Sequence, residues 1–172
     1  MWSKDAFVTY QKTYSDPQAS DDDVFFTNSP DFTVNGVSAW HSLSQPEWAY
    51  LLGVSAERSG KYRTGVTVNG VMGLVVAPDK FSGTIRDSYD ASEWATAEIN
   101  DGLVFFPAAG YRFGLDGTTF ISHVGSDGCY WSSTPKGDNG AYTLDFASGN
   151  VGPASNINRN FAFAVRLVTE SN

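Results

Sequence analysis

The chain has 172 residues and a formal net charge of −8, which fits one domain of ordinary size and excludes a multidomain enzyme. Hydrophobic residues make up 41% of the chain and charged residues 17%, so it has enough apolar surface to fold into a compact, aromatic-rich domain. The sequence pI near 4.5 argues against nucleic-acid and anionic-membrane binding, because both depend on Lys and Arg.

Cysteine and hydropathy patterns exclude several further classes. Cys129 is the single cysteine, so neither an intramolecular disulfide nor a cysteine zinc site is available. No run of 18 apolar residues occurs, and Met1 to Tyr10 lacks the basic start and apolar stretch of a signal peptide. We therefore expect no metal, no cofactor and no direct membrane insertion.

The first predicted feature in chain order is a solvated loop from Ser15 to Pro30, which is rich in Asp, Ser and Pro. A calcium site is the alternative interpretation. It is less favoured, because three adjacent aspartates, Asp21 to Asp23, cannot all turn toward one ion.

Two short helices are predicted from capping boxes. In Ser44 to Glu47 and again in Asp90 to Glu93, a side chain that accepts from the backbone precedes a glutamate that can reach back. The first helix places one apolar face inward and can stop at Gly53; the inward residues are Trp48, Leu51 and Leu52. The second carries Trp94 and Ala97 inward and ends near Asp101 and Gly102.

A hairpin is predicted over Tyr62 to Ala77, because Asn69-Gly70 between β-branched runs suits a type I′ turn. Strand-forming residues bounded by Gly, Asn, Asp or Pro predict further strands. They cover Leu103 to Phe106, Tyr130 to Ser133, Ala141 to Phe146 and Phe163 to Val168.

Sequence motifs of catalysis are absent: there is no phosphate-binding glycine loop, no Gly-x-Ser-x-Gly elbow and no His-Glu-x-x-His helix. His41 and His123 could each serve as a base, but neither has a sequence partner that marks a triad. Cys129 could be a nucleophile, yet no neighbouring cation lowers its pKa, so an inert thiol is favoured. Paired carboxylates stay open, because no spacing singles out two of them.

Composition changes between Arg112 and Ala164. This stretch contains no Glu, Gln or Met, whereas the rest of the chain has 5 Glu, 3 Gln and 2 Met. Turn-rich strands also avoid helix-forming residues, so the change alone does not decide between a structural and a functional cause.

Within this stretch and at its edges, the residues fall into two groups. Those of the first suit a packed sheet, and those of the second are a mixture with no common secondary-structure propensity. Tyr130 to Thr134, Leu144, Phe146 and Phe163 to Arg166 belong to the first group. Exposed aromatics on rigid loops are suited to recognition. The second group is therefore our candidate ligand-binding set: Phe113, Phe120, Ser122, His123, Asp127, Cys129, Asp138, Asn139, Thr143, Asn156, Ile157 and Phe161.

An ordered set of motifs resembles the Fibrobacter-type major paralogous domain, which is similar to the formylglycine-generating-enzyme branch of the C-type lectin fold. The resemblance covers roughly Ala39 to Val168. Its motifs are Ser44 to Trp48, Val68 to Leu74, Phe106 to Arg112, Gly128 to Thr134 and Phe163 to Val168. It implies an α+β, C-type lectin-like domain over residues 39–172, with two short helices, small antiparallel sheets and long glycine-rich loops. Residues 1–38 form an N-terminal extension that matches no pattern.

The C-terminal part is similar to the variable region of proteins diversified by retroelements, such as phage tropism determinants. In that family an error-prone reverse transcriptase replaces adenines, mostly in asparagine codons. A codon altered only at those adenines cannot yield Glu, Gln, Met, Lys or Trp, which would explain the missing residue types. Residues 112–164 are the implied variable region, in which Lys136 and Trp131 would be constant.

Two activities of related proteins do not carry over. The sequence lacks the Glu-Pro-Asn or Gln-Pro-Asp and Trp-Asn-Asp motifs of calcium-dependent sugar binding, and formylglycine generation needs a second cysteine.

The resulting hypothesis is a non-enzymatic, extracellular recognition protein of a bacterial cell surface or phage virion, with a protein or glycan partner. Phe113, Phe120 and Phe161 would be its aromatic anchors, and Asp127, Asp138 and Asn139 would supply polar selectivity. The alternatives are a constant adhesin or structural domain of the same fold and, less favoured, an enzyme centred on Cys129, His123 or a metal.

Overall fold

The computed structural model describes residues 40–53, 60–115 and 118–168. The N-terminal extension, with the Ser15 to Pro30 loop and its calcium alternative, lies outside the described residues. The elements in chain order are β1 (His41–Ser42), α1 (Gln45–Leu51), β2 (Tyr62–Val68), β3 (Val71–Val76), β4 (Ser88–Tyr89), α2 (Ala91–Asp101), β5 (Val104–Pro107), β6 (Tyr111–Leu115), β7 (Thr118–Ser122), β8 (Gly128–Lys136), β9 (Gly140–Ala147), β10 (Asn150–Asn158) and β11 (Leu167–Val168).

The fold is α+β, as expected, with two short helices and several small, mostly antiparallel sheets. One sheet has four strands in the order β4-β2-β3-β5, and a second has three in the order β10-β9-β8. Two two-stranded sheets, β1-β11 and β6-β7, complete the described part. The only parallel pairing of named strands here joins β2 to β4. None of the described helices is long and apolar enough to cross a bilayer.

Both predicted capping boxes are confirmed. Ser44 accepts from the backbone of Glu47, whose carboxylate accepts from Ser44 N at 2.7 Å. Asp90 accepts from the backbone N of Ser92 and Glu93, both at 2.8 Å, and Glu93 accepts from Asp90 N at 2.9 Å. Because these bonds satisfy orphan amides of the first turn, they fix where each helix begins.

The β2–β3 hairpin is also confirmed. Asn69 and Gly70 both have positive φ, 47° and 82°, as a type I′ turn requires. Alternate residues of β3 then enter different cores, since successive strand residues face opposite sides of a sheet. Leu74 and Val76 join the core beneath α1, around Trp48, whereas Val75 joins the core beneath α2. The four-stranded sheet is therefore buried on both faces at β3.

Three of the four other predicted strands are confirmed, as β5, β8 and β9, with ends shifted by a few residues. The fourth prediction was too long. Of Phe163 to Val168, only Leu167–Val168 is a strand, and Ala164 makes a single bridge to Tyr130. The expected loop positions of several candidate residues were wrong: Phe113, Phe120 and Ile157 lie on β6, β7 and β10. Tertiary pairing with β9 holds β10 extended despite its Asn, Gly and Pro content.

Candidate functional site

The β6–β7 hairpin presents aromatic side chains on one face. Phe113 is paired directly with Phe120 across the hairpin, and Tyr111 with Ser122. Directly opposed side chains of antiparallel strands are close enough to interact, and the rings of Phe113 and Phe120 stack with centroids 5.2 Å apart. Phe120 remains 46% exposed. The hairpin therefore offers a stacked, partly exposed aromatic pair.

This pair belongs to a larger group of touching rings, here called the aromatic cluster. Phe161 stacks on Phe113 at 5.7 Å and also meets Tyr111 at 5.9 Å. Tyr111 in turn stacks on His123 at 5.2 Å and 17°. The cluster comprises Tyr111, Phe113, Phe120, His123, Phe161 and Phe163. Trp131 supports it from the sheet, with its ring 4.6 Å from that of Phe163.

A tight turn after β7 positions His123. Its φ is +59°, and its carbonyl accepts from the backbone N of Ser126 and Asp127 at 3.1 and 3.0 Å. Gly110 lies against this turn, where a Cβ would come 2.7 Å from Val124 N. The turn thus depends on the glycine just before β6, because a side chain at Gly110 would displace it.

Three polar side chains meet at this turn. The Ser122 hydroxyl lies 2.7 Å from His123 Nδ1, and His123 Nε2 lies 3.8 Å from Asp127 Oδ2. The imidazole is therefore flanked by a hydroxyl and a carboxylate. The histidine–aspartate distance exceeds that of a hydrogen bond, and the histidine side chain is about half exposed.

A groove of about 550 Å³ lies beside the aromatic cluster, between it and one face of the β8-β9-β10 sheet. Aromatic and aliphatic side chains predominate in its lining, together with two carboxylates. The lining residues are Tyr111, Asp127, Cys129, Asp145, Phe146, Ala147, Asn150, Val151, Gly152, Ile157, Phe161 and Phe163.

Cys129 and Asp145 are paired neighbours on β8 and β9 in the floor of this groove. Burial raises the pKa of the Cys129 thiol to about 12, and the nearby negative charges of Asp145 and Asp127 add to the shift. The thiol is consequently protonated at neutral pH, which disfavours a nucleophilic role.

Asp145 is held by its neighbour on the same face of β9. The Thr143 hydroxyl lies 3.1 Å from Asp145 Oδ2 and 3.3 Å from the Ser155 carbonyl oxygen. The other carboxylate oxygen, Asp145 Oδ1, is shielded from solvent, and the thiol of the paired Cys129 is a hydrogen-bond donor to this carboxylate. Thr143 itself is fully buried.

The structure brings most of the candidate set together. Phe113, Phe120, His123 and Phe161 belong to the aromatic cluster, and Ser122 contacts His123. Asp127, Cys129, Ile157 and Phe161 line the groove.

Four candidate positions lie elsewhere. Asp138 and Asn139 are exposed in the turn between β8 and β9, outside the groove lining. Asn156 is exposed and alternates with Ile157, so it faces the other side of β10. Thr143 is a correction: with 0% exposure it cannot touch a ligand, and it positions Asp145 instead.

Sequence reasoning missed residues of the groove that it assigned to the scaffold or left unused. Phe163 was assigned to the sheet, Tyr111 to a scaffold motif, and Asp145 to nothing. Strand alternation in β9 would have put Asp145 on the same face as Thr143. No local pattern, however, indicates that this face borders a groove.

Among the described residues, no group of three or more His, Cys, Asp or Glu side chains could hold a metal ion.

In comparisons with known proteins, a family model described as a domain of unknown function (DUF8237) matches residues 57–168. No curated protein and no solved structure gives a significant match.

Proposed function

The chain belongs to the DUF8237 family, a domain of unknown function, and from that premise we propose that it is a non-enzymatic ligand-binding module. Its recognition surface is the aromatic cluster with the adjoining groove. One observation carries the proposal: candidate residues chosen for their lack of common propensity, including Phe113, Phe120 and Phe161, are neighbours in one partly exposed cluster. Aromatic side chains held on strands bury a large area at low entropic cost when a ligand binds.

The proposal extends to the fold and the origin of the surface. Two short helices, small sheets and long connections are consistent with a C-type lectin-like fold. Retroelement diversification of residues 112–164 would replace side chains on a framework whose cores are formed largely by other segments, around Trp48, Leu74 and Val75. Its partner would be a protein or glycan at a bacterial cell or phage surface, and the domain would act outside the cell.

A constant adhesin or structural domain of the same fold would use the same surface without diversification. The DNA next to the gene separates the two. A template copy that differs from the gene only at adenines supports diversification. A template with ordinary substitutions, or none, favours the constant protein.

Binding itself is tested on arrays of surface glycans and surface proteins. We expect a signal for the wild type that is lost in a Phe120→Ala, Phe161→Ala double variant. Ile121→Ala is the matched control, because Ile121 is 73% exposed and alternates with Phe120, on the opposite face of β7. Equal signals from all three proteins would contradict the proposed surface.

One observation favours an enzymatic alternative: the contact of Ser122, His123 and Asp127, which places a hydroxyl and a carboxylate on either side of an imidazole. The geometry supports it less well, because the aspartate is 3.8 Å away and the imidazole stacks on Tyr111. Hydrolysis of p-nitrophenyl acetate that exceeds the rate of Ser122→Ala at least ten-fold would favour the enzyme.

A further inference from the structure

The two-stranded β6–β7 sheet is covered along its β6 edge. Arg112 on β6 exchanges two main-chain hydrogen bonds with Ala162, at 3.0 and 2.7 Å. Along a strand, the N–H and C=O groups of one residue point to one neighbouring strand and those of the next residue point to the other side. The main chain of Arg112 therefore points away from β7, and the bonds to β7 come from its neighbours Tyr111 and Phe113.

The same alternation shows which main-chain groups of β7 face outward. Ile121 lies opposite Arg112. Thr119 lies opposite Gly114, two residues further along β6. Because both pairs are of the non-hydrogen-bonded kind, the N–H and C=O groups of Thr119 and Ile121 point away from β6. In the part of the chain that the structure describes, no strand pairs with this outer edge of β7.

Large apolar side chains are exposed along this open edge. Phe120 is 46% exposed, Ile121 73% and Val124 65%. Exposed apolar residues that are scattered singly are normal in soluble proteins, but here three of them lie within one short segment. An edge strand with unpaired main-chain groups and apolar side chains is a site for the addition of a further strand.

The charge of the segment favours a second copy of the chain as the added strand. No Asp, Glu, Lys or Arg occurs from Thr118 to Val124, in a chain whose net charge is −8. Two copies of an acidic protein repel each other where their carboxylates meet, so a neutral segment is a place where they can approach. A basic partner would find no carboxylate on this segment to bind.

The positions of the outward groups are compatible with two-fold symmetry. When two β7 strands run antiparallel about an axis at Phe120, Thr119 of each copy lies opposite Ile121 of the other. Both members of such a pair point their main chains toward each other, so each pair can exchange both of its hydrogen bonds. Phe120 then lies opposite Phe120 of the second copy, in the closer, non-hydrogen-bonded kind of pair. A register shifted by one residue would not match outward groups with outward groups.

We infer that the chain forms a two-fold dimer in which β7 pairs antiparallel with β7 of a second copy. The two hairpins become one four-stranded sheet in the order β6-β7-β7-β6. Both aromatic clusters lie on the same face of this sheet, because directly paired residues share a face. A ligand that is repeated on a surface can then contact two recognition surfaces at once. A contact confined to one strand is smaller than the roughly 1,200 Å² that stable interfaces bury, so the dimer is reversible and depends on protein concentration.

The first test is sedimentation equilibrium of the wild type and two variants over an about hundred-fold range of protein concentration. Ile121→Pro removes an outward N–H of β7 without removing a bond to β6, and such edge positions are where strands accept proline. Ile121→Ala is the matched control, since it shortens the same side chain and keeps the amide. We expect the wild type and Ile121→Ala to dimerise, and Ile121→Pro to associate at least about ten-fold more weakly. A wild type that stays monomeric, or a proline variant that associates equally well, would overturn the inference.

Cross-linking decides the question if Ile121→Pro fails to fold, and it also tests the register. Opposed residues of a non-hydrogen-bonded pair have Cα atoms about 4.5 Å apart, which is within the range of a disulfide. Oxidised glutathione should therefore link Phe120→Cys to its second copy at least about ten-fold faster than Ile99→Cys, whose position on α2 is 81% exposed. Cys129 does not compete, because burial raises the pKa of its thiol to about 12. Equal rates for the two variants would contradict the proposed pairing.

Hydrogen exchange separates the dimer from other occupants of the edge. The amide hydrogens of Thr119 and Ile121 should exchange more slowly as the protein concentration rises. Full protection in the dilute monomer would mean that another part of the same chain covers the edge. Protection that appears only when an array binder is added would assign the edge to a strand of that binder. Either result would overturn the inference.

The dimer does not depend on the proposed function, and the two can fail separately. A monomeric protein whose array signal still needs Phe120 and Phe161 would refute the dimer and leave the recognition surface intact. A dimer without any array signal dependent on Phe120 and Phe161 would do the reverse.

Discussion

Phe113 and Phe120 lie directly opposite each other on β6 and β7, with their rings stacked 5.2 Å apart. Because the ring contact adds to the burial of area, a double-mutant cycle of Phe113→Ala and Phe120→Ala should give a coupling of about 0.5–1.5 kcal/mol. Urea denaturation measures it. Ile121→Ala, on the other face, should change stability by no more than about 0.5 kcal/mol. A coupling indistinguishable from zero would mean that the pair is not formed in solution.

Gly110 should tolerate no side chain. Both Gly110 and Gly125 have positive φ, 65° and 81°, so alanine is strained at either position. At Gly110 the added Cβ would also meet the backbone of residues 122–124, whereas nothing lies within 4 Å at Gly125. Gly110→Ala should therefore cost at least about 1 kcal/mol more than Gly125→Ala in thermal or urea unfolding. Similar costs would show that the turn after β7 moves freely.

Cys129 should make the protein less stable at alkaline pH. Its folded pKa is about 12 against an ordinary 9.0, so between these values the unfolded chain loses the proton and the folded chain keeps it. Stability attributable to this thiol is complete below pH 9 and declines toward pH 12. Between pH 9 and pH 12 the free energy of unfolding should fall less steeply in Cys129→Ala than in the wild type. Urea denaturation at a series of pH values measures it.

The same burial predicts slow alkylation. Iodoacetamide should modify Cys129 far more slowly in the native protein at pH 7.5 than in urea, because the reactive thiolate is scarce in the folded state. Fast modification of the native protein would contradict a protonated, buried thiol.

The capping box of α2 should make the protein sensitive to acid. Hydrogen bonds from the backbone and from Ser92 hold the pKa of Asp90 below 3.8, and those from Asp90 N and Arg86 hold the pKa of Glu93 below 4.5. This stabilisation is present above the ordinary values and is lost as the pH falls through the lower folded ones. Asp90→Asn, which keeps an acceptor at the cap, should flatten the decline below pH 5, whereas Asp101→Asn should not.

Features written in a few adjacent residues could be predicted from the sequence. Ser44 and Asp90 begin helices because their bonds reach only three residues ahead, and Asn69-Gly70 turns a chain whatever the rest of the molecule does. Local chemistry also fixed the inward face of α1, with Trp48 in the core.

The candidate site was only partly predictable, because partners distant in sequence build it. Phe113 and Phe161 are 48 residues apart in sequence, and their rings stack. They come together because the backbone of Ala162 forms a β-bridge with Arg112, next to Phe113. Thr143 looked replaceable because nothing local shows that its side chain is fully buried, with its hydroxyl beside Asp145 and the Ser155 carbonyl oxygen. No strand was predicted over Asn150 to Asn158, because its residues favour turns, yet β9 pairs with it over most of its length.

The outer position of β10 in its sheet has a consequence for solubility. An outermost strand displays a row of main-chain donors and acceptors that another copy of the chain could join, which is how fibres start. In β10 that row is interrupted by Pro153, which has no amide hydrogen, and by the register shift between Gly152 and Ser155. Side chains along β10 can therefore change, while Pro153 and the register shift continue to discourage edge-to-edge pairing with the strand of another molecule.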